Sequence, residues 1–149
     1  MLSQVTYNAL ISACEKGKQP ERALEVFEAM QRQGVVPNVI TYSALISACE
    51  KGKQPERALE VFEAMQWQGV VPDVITYSAL ISACPELAAE LFEAMQQQGI
   101  TPHIISYSDI LGCCEWQLDF AQEVRIIACL FTDIEPALLK PLVIAHQAE

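Results

Sequence analysis

Two stretches of the sequence carry polar side chains at intervals of four residues on an otherwise apolar segment. They are Asn8, Ser12 and Lys16 in the first, and Ser43, Ser47 and Lys51 in the second. Residues four apart share one face of a helix, so each set predicts a narrow polar stripe. Such a stripe is either a solvated face or a surface that hydrogen-bonds base edges and neutralises phosphates, the contacts that single-stranded RNA needs.

Covalent and metal chemistry is not indicated. No nucleophile is accompanied by a base, and no H-x-E is paired with a C-x-x-C. Cys14, Cys49 and Cys84 recur at one equivalent position, and neighbouring packed helices lie about 8 to 10 Å apart, which disfavours disulfides and predicts packing roles. The pair Cys113 and Cys114, taken with His103 and Cys129, lacks C-x2-C spacing, which disfavours a zinc site. We expect a reduced, intracellular chain that is not an enzyme, without catalytic residues, metal or cofactor.

The chain of 149 residues is acidic, with a formal net charge of −10, and 52% of its residues are hydrophobic. This composition allows one ordinary core, and no apolar run approaches the roughly 18 residues of a membrane span. We therefore expect no membrane association, and no targeting segment is visible in this chain, either because there is none or because the sequence does not include it. Residues 1–57 hold seven Lys or Arg against six Asp or Glu, whereas residues 58–149 hold two against thirteen. An acidic chain binds phosphates poorly in general, so RNA binding would depend on local geometry.

The dominant feature is an internal repeat. At an offset of 35, residues 5–38 align with residues 40–73, and 30 of the 34 positions are identical. The four differences are Val5 against Ile40, Asn8 against Ser43, Arg32 against Trp67, and Asn38 against Asp73. A third, shorter unit runs from Ile75 to His103, and a fourth fades after Ile105. A period of this length is typical of a solenoid of small supersecondary units.

Each full unit predicts two helices. In "TYNALISAC" the apolar residues follow the i, i+3, i+4, i+7 spacing of an amphipathic helix, and Gly17 ends it. Pro20 suits the first position of the second helix, "ERALEVFEAMQRQ", which Gly34 and Pro37 end. No segment alternates with period two. We expect an all-α, right-handed solenoid of antiparallel helix-turn-helix repeats, with Trp67 on its outer face.

These units resemble the pentatricopeptide repeat family. The resemblance is carried by the period of 35, the "VTYNALI" opening, the "ALEVFEAM" second helix and the "GVVPN" and "GVVPD" endings. It covers residues 4–103 well and 104 to about 124 poorly. We expect repeats at 4–38 and 39–73, a truncated repeat at 74–103, a degenerate repeat at 104–131, and a tail or capping helix at 132–149.

The resemblance implies a sequence-selective module that binds single-stranded RNA, reads about one base per repeat and belongs to an RNA-processing or RNA-stabilising protein. By family position, the base-sandwiching residues are Val5, Ile40 and Ile75; the first base readers are Asn8, Ser43 and Ser78; the second base readers are Asn38, Asp73 and His103; and the phosphate-facing residues are Lys16 and Lys51. Members of the family mostly work in mitochondria or chloroplasts.

The hydrogen-bonding groups of the predicted reader side chains indicate which base each repeat would bind. Asn8 can donate and accept, which suits a pyrimidine, whereas Ser43 is short and Asp73 only accepts, which suits the N1 and N2 donors of guanine. The family's code agrees: Asn with Asn implies cytosine or uracil, and Ser with Asp implies guanine. Ser78 with His103 leaves the third base unassigned. The alternative function is an acidic scaffold for protein–protein interaction, which the charge of the second half would suit.

The third unit lacks "EKGKQ", so Pro85 directly follows Cys84. Proline disfavours helical geometry in the preceding residue, and antiparallel helices need a connection of about 2 to 5 residues. We therefore expect the first helix of this unit to be shorter by about a turn. The unit also lacks a lysine equivalent to Lys51, and we expect it to contribute little to RNA binding.

Overall fold

The structure is a computed structural model, and it describes residues 2–100. Within this range the chain forms six α-helices and no strand. The helices are α1 (Gln4–Lys16), α2 (Pro20–Arg32), α3 (Val39–Lys51), α4 (Pro55–Trp67), α5 (Val74–Ala83) and α6 (Ala88–Gln97), and a short 3-10 turn at Pro85–Leu87 precedes α6. The predictions made for His103, for the repeat at 104–131 and for the tail at 132–149 lie outside the described residues.

In each of the three described repeats, the first helix begins at a side-chain cap. Ser3, Asn38 and Asp73 occupy equivalent positions, and each side chain accepts a hydrogen bond from the backbone N–H three residues later. At Asn38 and Asp73 the capping is reciprocal, since the threonine at the third helical position accepts from the backbone N–H of the cap. Ser, Asn and Asp are among the strongest N-cap residues.

The starts and ends of the second helices are set by the backbone conformations of proline and glycine. Pro20 and Pro55 occupy the first position of α2 and α4, where proline is tolerated because that N–H has no partner within the helix. Beyond α2 the chain passes through Gly34, whose φ of +71° is the left-handed conformation that glycine adopts at little cost. The N–H of Val35 then bonds the carbonyl of Met30 at 3.1 Å, which closes the end of the helix.

The helices stack in two layers. The first helices contact one another in the order α1, α3, α5, and the second helices α2 and α4 each pack between their own first helix and that of the following repeat. Equivalent aromatic pairs join α2 to α3 and α4 to α5: Phe27 meets Tyr42 edge-on at 5.5 Å between ring centroids, and Phe62 meets Tyr77 at 5.7 Å. The predicted all-α solenoid of helix pairs is confirmed. Trp67 is 90% exposed, as expected for a residue on the outside.

The truncated third repeat has the expected short helix. Helix α5 has 10 residues, whereas α1 and α3 have 13 each. Cys84 leaves the helical conformation at φ −127°, and the 3-10 turn begins at Pro85, so the connection is made from residues that would otherwise extend α5. A cleft of about 550 Å³ lies beside this shortened connection, lined by Lys51, Lys53 and Pro55 of repeat 2 together with Ala83 and Pro85.

Among residues 2–100, no single helix combines the length and apolar composition of a membrane span. The segments Val74–Ala83 and Pro85–Gln97 reach that composition only when counted together, across a bend of 119°.

Candidate nucleic-acid interface

The layer of first helices carries a row of exposed aliphatic side chains. Val5, Ile40 and Ile75 lie at equivalent positions near the start of α1, α3 and α5, and their exposed fractions are 76%, 58% and 60%. Large aliphatic residues at buried positions of the same helices, such as Ile11 and Leu45, are fully covered. The row thus offers apolar surface at a regular interval, of a kind that could hold flat rings between successive side chains.

In repeat 1 the two predicted readers contact each other. The Asn8 Nδ2 donates to Asn38 Oδ1 at 3.3 Å, although the residues are 30 positions apart. The hydroxyl of Thr41 donates to Asn8 Oδ1 at 2.5 Å, and Asn38 Nδ2 donates to the side chain of Gln4 at 3.3 Å. A residue at the end of repeat 1 and one on its first helix therefore form a single polar cluster with the first turn of repeat 2.

In repeat 2 the readers are joined through a third residue. The hydroxyls of Ser43 and Thr76 lie 2.8 Å apart, and Thr76 Oγ1 donates to Asp73 Oδ1 at 2.9 Å. Ser43 is nearly buried and Thr76 is completely so. A threonine hydroxyl bridges the two predicted readers in both repeats, but only in repeat 1 does the longer Asn8 side chain also reach Asn38 directly.

The readers predicted for the third repeat are only partly described. Ser78 is half-buried on α5, one turn beyond Ile75, at the position equivalent to Asn8 and Ser43. His103 lies outside the described residues, so the structure gives this repeat a first reader position and no geometry for the second.

The two predicted phosphate-facing lysines are the last residues of α1 and α3. Lys51 Nζ lies 2.8 Å from Glu15 Oε1, and this ion pair ties the end of α3 to the end of α1. Lys16 is exposed at the end of α1. A phosphate would have to compete with Glu15 for Lys51, a partner that the sequence pattern did not reveal. Because both side chains are partly exposed, this ion pair contributes little stability, and a phosphate could replace Glu15 at small cost.

Thr41 and Thr76 were not among the predicted site residues. Each is fully buried and bonds both readers of the preceding repeat. A signal for them exists in the sequence, since Asn or Asp followed three residues later by Thr is a capping pattern at the start of an apolar helix. That pattern also gives Asn38 and Asp73 a second role as helix caps.

The cysteines of the described repeats are free thiols. Cys49 is completely buried, and burial raises its pKa from 9.0 to about 11. Burial likewise raises the pKa of Cys84, whose Sγ lies 3.7 Å from the carbonyl oxygen of Pro55. Within residues 2–100 no three His, Cys, Asp or Glu side chains are grouped so as to hold a metal ion. Their surroundings are those of packing residues.

Similar solved structures include two that contain RNA. The pentatricopeptide repeat protein PPR10 in complex with an 18-nt psaJ RNA element matches with a TM-score of 0.74 and 26% identity, over 91% of this chain and 21% of that one. PPR10 from maize matches at 0.72 and 22%, over 90% and 20% respectively. The PPR domain of Arabidopsis thaliana protein-only RNase P 1 in complex with tRNA matches at 0.74 and 18%, over 99% and 82%.

This chain therefore spans about a fifth of the length of PPR10. A comparison with curated proteins gives no match. The model of the PPR repeat family matches residues 2–51 and 44–86, and the model of the pentatricopeptide repeat domain matches residues 85–115. Together with the stacked helix pairs, these matches show that the chain belongs to the pentatricopeptide repeat family.

Proposed function

We propose that this chain is a single-stranded RNA-binding module, without catalytic activity of its own, that reads about one base per complete repeat within an RNA-processing or RNA-stabilising protein. One observation carries the proposal. In both complete repeats a polar cluster, Asn8 with Asn38 or Ser43 with Asp73, lies next to exposed aliphatic side chains on the first helices. The structures of PPR10 with RNA support it by similarity.

The aliphatic row would hold the bases and the polar clusters would read them. A base inserted between Val5 and Ile40 would present its edge to Asn8 and Asn38, and one between Ile40 and Ile75 would meet Ser43 and Asp73. Stacking on side chains contributes about 1 to 3 kcal/mol per base and tolerates any base, so selectivity must come from the polar groups. We propose a pyrimidine for repeat 1 and guanine for repeat 2, with the 5′ base at repeat 1.

The expected affinity is weak. Two complete repeats supply roughly 2 to 6 kcal/mol from stacking, whereas a Kd of 1 mM corresponds to about 4 kcal/mol. The charge adds little, because the chain carries a net −10 and Lys51 is paired with Glu15. We expect a Kd in the high micromolar to millimolar range for a monomer, and tighter binding when these repeats are part of a longer array.

A titration of short RNAs at low salt tests the proposal. Eight-nucleotide oligoadenylates with one central dinucleotide are followed by NMR chemical shifts, and the chain should prefer CG and UG to AA. Ser43→Asn should reduce the preference for guanine at the second base. Lys51→Ala, with Lys16→Ala as its matched partner, should weaken all RNAs alike and lower the salt dependence. If the chain bound every dinucleotide equally, or bound none at millimolar concentration, the proposal would be wrong.

A second candidate function is a scaffold for a basic protein partner. The outer surface between α2 and α4 forms a groove of about 580 Å³, lined by Phe27, Arg57 and four glutamates, namely Glu21, Glu25, Glu28 and Glu60. This excess of negative charge favours a cationic peptide rather than RNA. Binding of lysine-rich peptides that is unaffected by Ser43→Asn and lost when the glutamates of α2 are replaced would support this alternative.

A further inference from the structure

The buried Thr76 links Ser43 and Asp73, the two proposed readers of repeat 2. We infer that the hydroxyl of Thr76 makes the base site of repeat 2 an acceptor-only site, and that it thereby selects guanine over adenine. The inference rests on the proposed function, since it concerns how the same readers face a base. Thr76 would not touch the base; it is a positioning residue that acts through Ser43.

A hydroxyl has one hydrogen to donate and two lone pairs to accept with. Thr76 Oγ1 lies 2.9 Å from a carboxylate oxygen of Asp73, which only accepts, so the hydrogen of Thr76 is used in that bond. Ser43 Oγ lies 2.8 Å from the same threonine oxygen. Since Thr76 has no second hydrogen, Ser43 must be the donor in this contact.

Ser43 therefore spends its only hydrogen on Thr76. Both lone pairs of its oxygen remain as acceptors, and the side chain of Asp73 has only acceptors. The Ser43 hydroxyl cannot turn to donate elsewhere without breaking a bond at a completely buried partner, which is unfavourable. The base site of repeat 2 thus offers acceptors alone, although serine by itself can either donate or accept.

An acceptor-only site separates the two purines. The Watson–Crick edge of guanine carries donors at N1 and N2, which such a site can bond. Adenine has an acceptor at N1, and this lone pair would face the lone pair of Ser43 or the carboxylate of Asp73. Removing the hydroxyl of Thr76 would release the hydrogen of Ser43, which could then donate to adenine N1. The preference for guanine should fall as a result.

The corresponding threonine of repeat 1 acts on an amide instead. Thr41 Oγ1 lies 2.5 Å from Asn8 Oδ1 and 3.0 Å from Asn38 Oδ1, so its one hydrogen is shared between the two amide oxygens, and Asn8 Nδ2 donates to Asn38 Oδ1 at 3.3 Å. The amide of Asn8 is therefore held with its oxygen toward Thr41 and its nitrogen toward Asn38. Both groups keep unused capacity, a lone pair on the oxygen and a hydrogen on the nitrogen. Repeat 1 offers both a donor and an acceptor, as a site for a pyrimidine requires.

The chain contains a matched control for these threonines. Thr6 occupies the same helical position in α1, and its hydroxyl lies 3.0 Å from Ser3, which caps that helix. No complete repeat precedes α1 in the described structure, so Thr6 contacts no reader of a preceding repeat. Replacing Thr6 tests the loss of a hydroxyl from this turn without any effect on a base site.

The experiment compares Thr76→Val, Thr76→Ser and Thr6→Val on oligoadenylates with a central CG or CA. We expect wild type to prefer CG and Thr76→Val to reduce the CG-to-CA affinity ratio about fivefold, the change expected for one net hydrogen bond. Thr76→Ser keeps the hydroxyl and should restore the ratio, and Thr6→Val should leave it unchanged. In a Ser43→Ala background, Thr76→Val should no longer alter the ratio, because Thr76 acts through Ser43.

The outcomes separate this inference from the proposed function. A wild-type chain without any preference between CG and CA would contradict the proposed function itself. A wild-type preference that survives Thr76→Val would overturn the inference alone, as would a uniform loss of affinity with an unchanged ratio, which is what loss of helix capping would cause. If Thr76→Val does not fold by circular dichroism, Thr41→Val decides. It should lower the pyrimidine-over-adenine ratio at the first base, and an unchanged ratio would refute the role of these threonines.

Discussion

Gly52 lies against Pro20 of the preceding repeat, and replacing it with alanine should loosen the stacking of the two repeats. A Cβ at this position would fall 2.7 Å from Cδ of Pro20 and closer still to its Cγ. Pro20 is buried at the start of α2, and its ring cannot swing aside as a flexible side chain could. The loop of repeat 2 would therefore have to move away from repeat 1.

The expected loss of stability follows from two opposing effects. Overpacking of this kind destabilises a protein by about 1 to 3 kcal/mol. The backbone at Gly52 has φ −82° and ψ 1°, which alanine adopts without strain. Replacing glycine there also restricts the unfolded chain, which stabilises by about 0.4 to 1 kcal/mol. The contact with Pro20 should outweigh this gain, so we expect the free energy of unfolding to fall in Gly52→Ala.

Gly17 provides the matched control. It has nearly the same backbone conformation, φ −79° and ψ 0°, but an added Cβ would meet its nearest neighbour, the carbonyl oxygen of Ala13, at an ordinary 3.5 Å. Gly17→Ala should therefore be neutral or slightly stabilising. Urea denaturation followed by circular dichroism should give unfolding free energies that differ between the two variants by about 1 to 3 kcal/mol. Equal stability of the two variants would refute the stacking argument.

Two further predictions concern the truncated repeat and the thiols. Inserting "EKGKQ" after Cys84 should extend α5, fill the cleft beside Pro55 and raise both the melting temperature and the affinity for RNA. No change in either quantity would contradict this interpretation of the deletion. A thiol reagent applied at pH 8 should label Cys14 well before Cys49, because Cys49 is fully buried and its pKa is raised to about 11, as peptide mapping by mass spectrometry would show; equal rates would contradict the buried position of Cys49.

Much of the fold was predictable because the sequence contains two nearly identical copies of one helix pair. Two nearly identical copies with helical periodicity, ended by Gly34 and its equivalent, specify helix pairs, and a period of 35 requires them to stack. The short α5 was also predictable, since Pro85 acts locally on Cys84. These features depend on residues close together in the chain or on the repeat itself.

The site was less predictable because its contacts join residues about 30 positions apart. The sequence identified Asn8 and Asn38 as a pair by resemblance, but their direct hydrogen bond depends on how one repeat is placed against the next. The Glu15 partner of Lys51 and the shared hydroxyl of Thr76 arise in the same way. A polar residue inside an apolar helix gives no sign in the sequence of whether its partner is solvent or a buried hydroxyl.

The double role of Asn38 and Asp73 decides where one functional unit ends and the next begins. Each of them belongs to the polar cluster proposed to read a base in its own repeat, and at the same time caps the first helix of the following repeat. A repeat copied or transplanted from residue 5 to residue 38 would carry its second reader but leave Thr41 behind. The segment needed to transfer the complete polar cluster is therefore longer than the sequence period and includes the first helical turn of the following repeat. Chimeras joined after Thr41 or Thr76 should keep their base preference, whereas those joined at the repeat boundary inherit the orientation imposed by whatever residue follows.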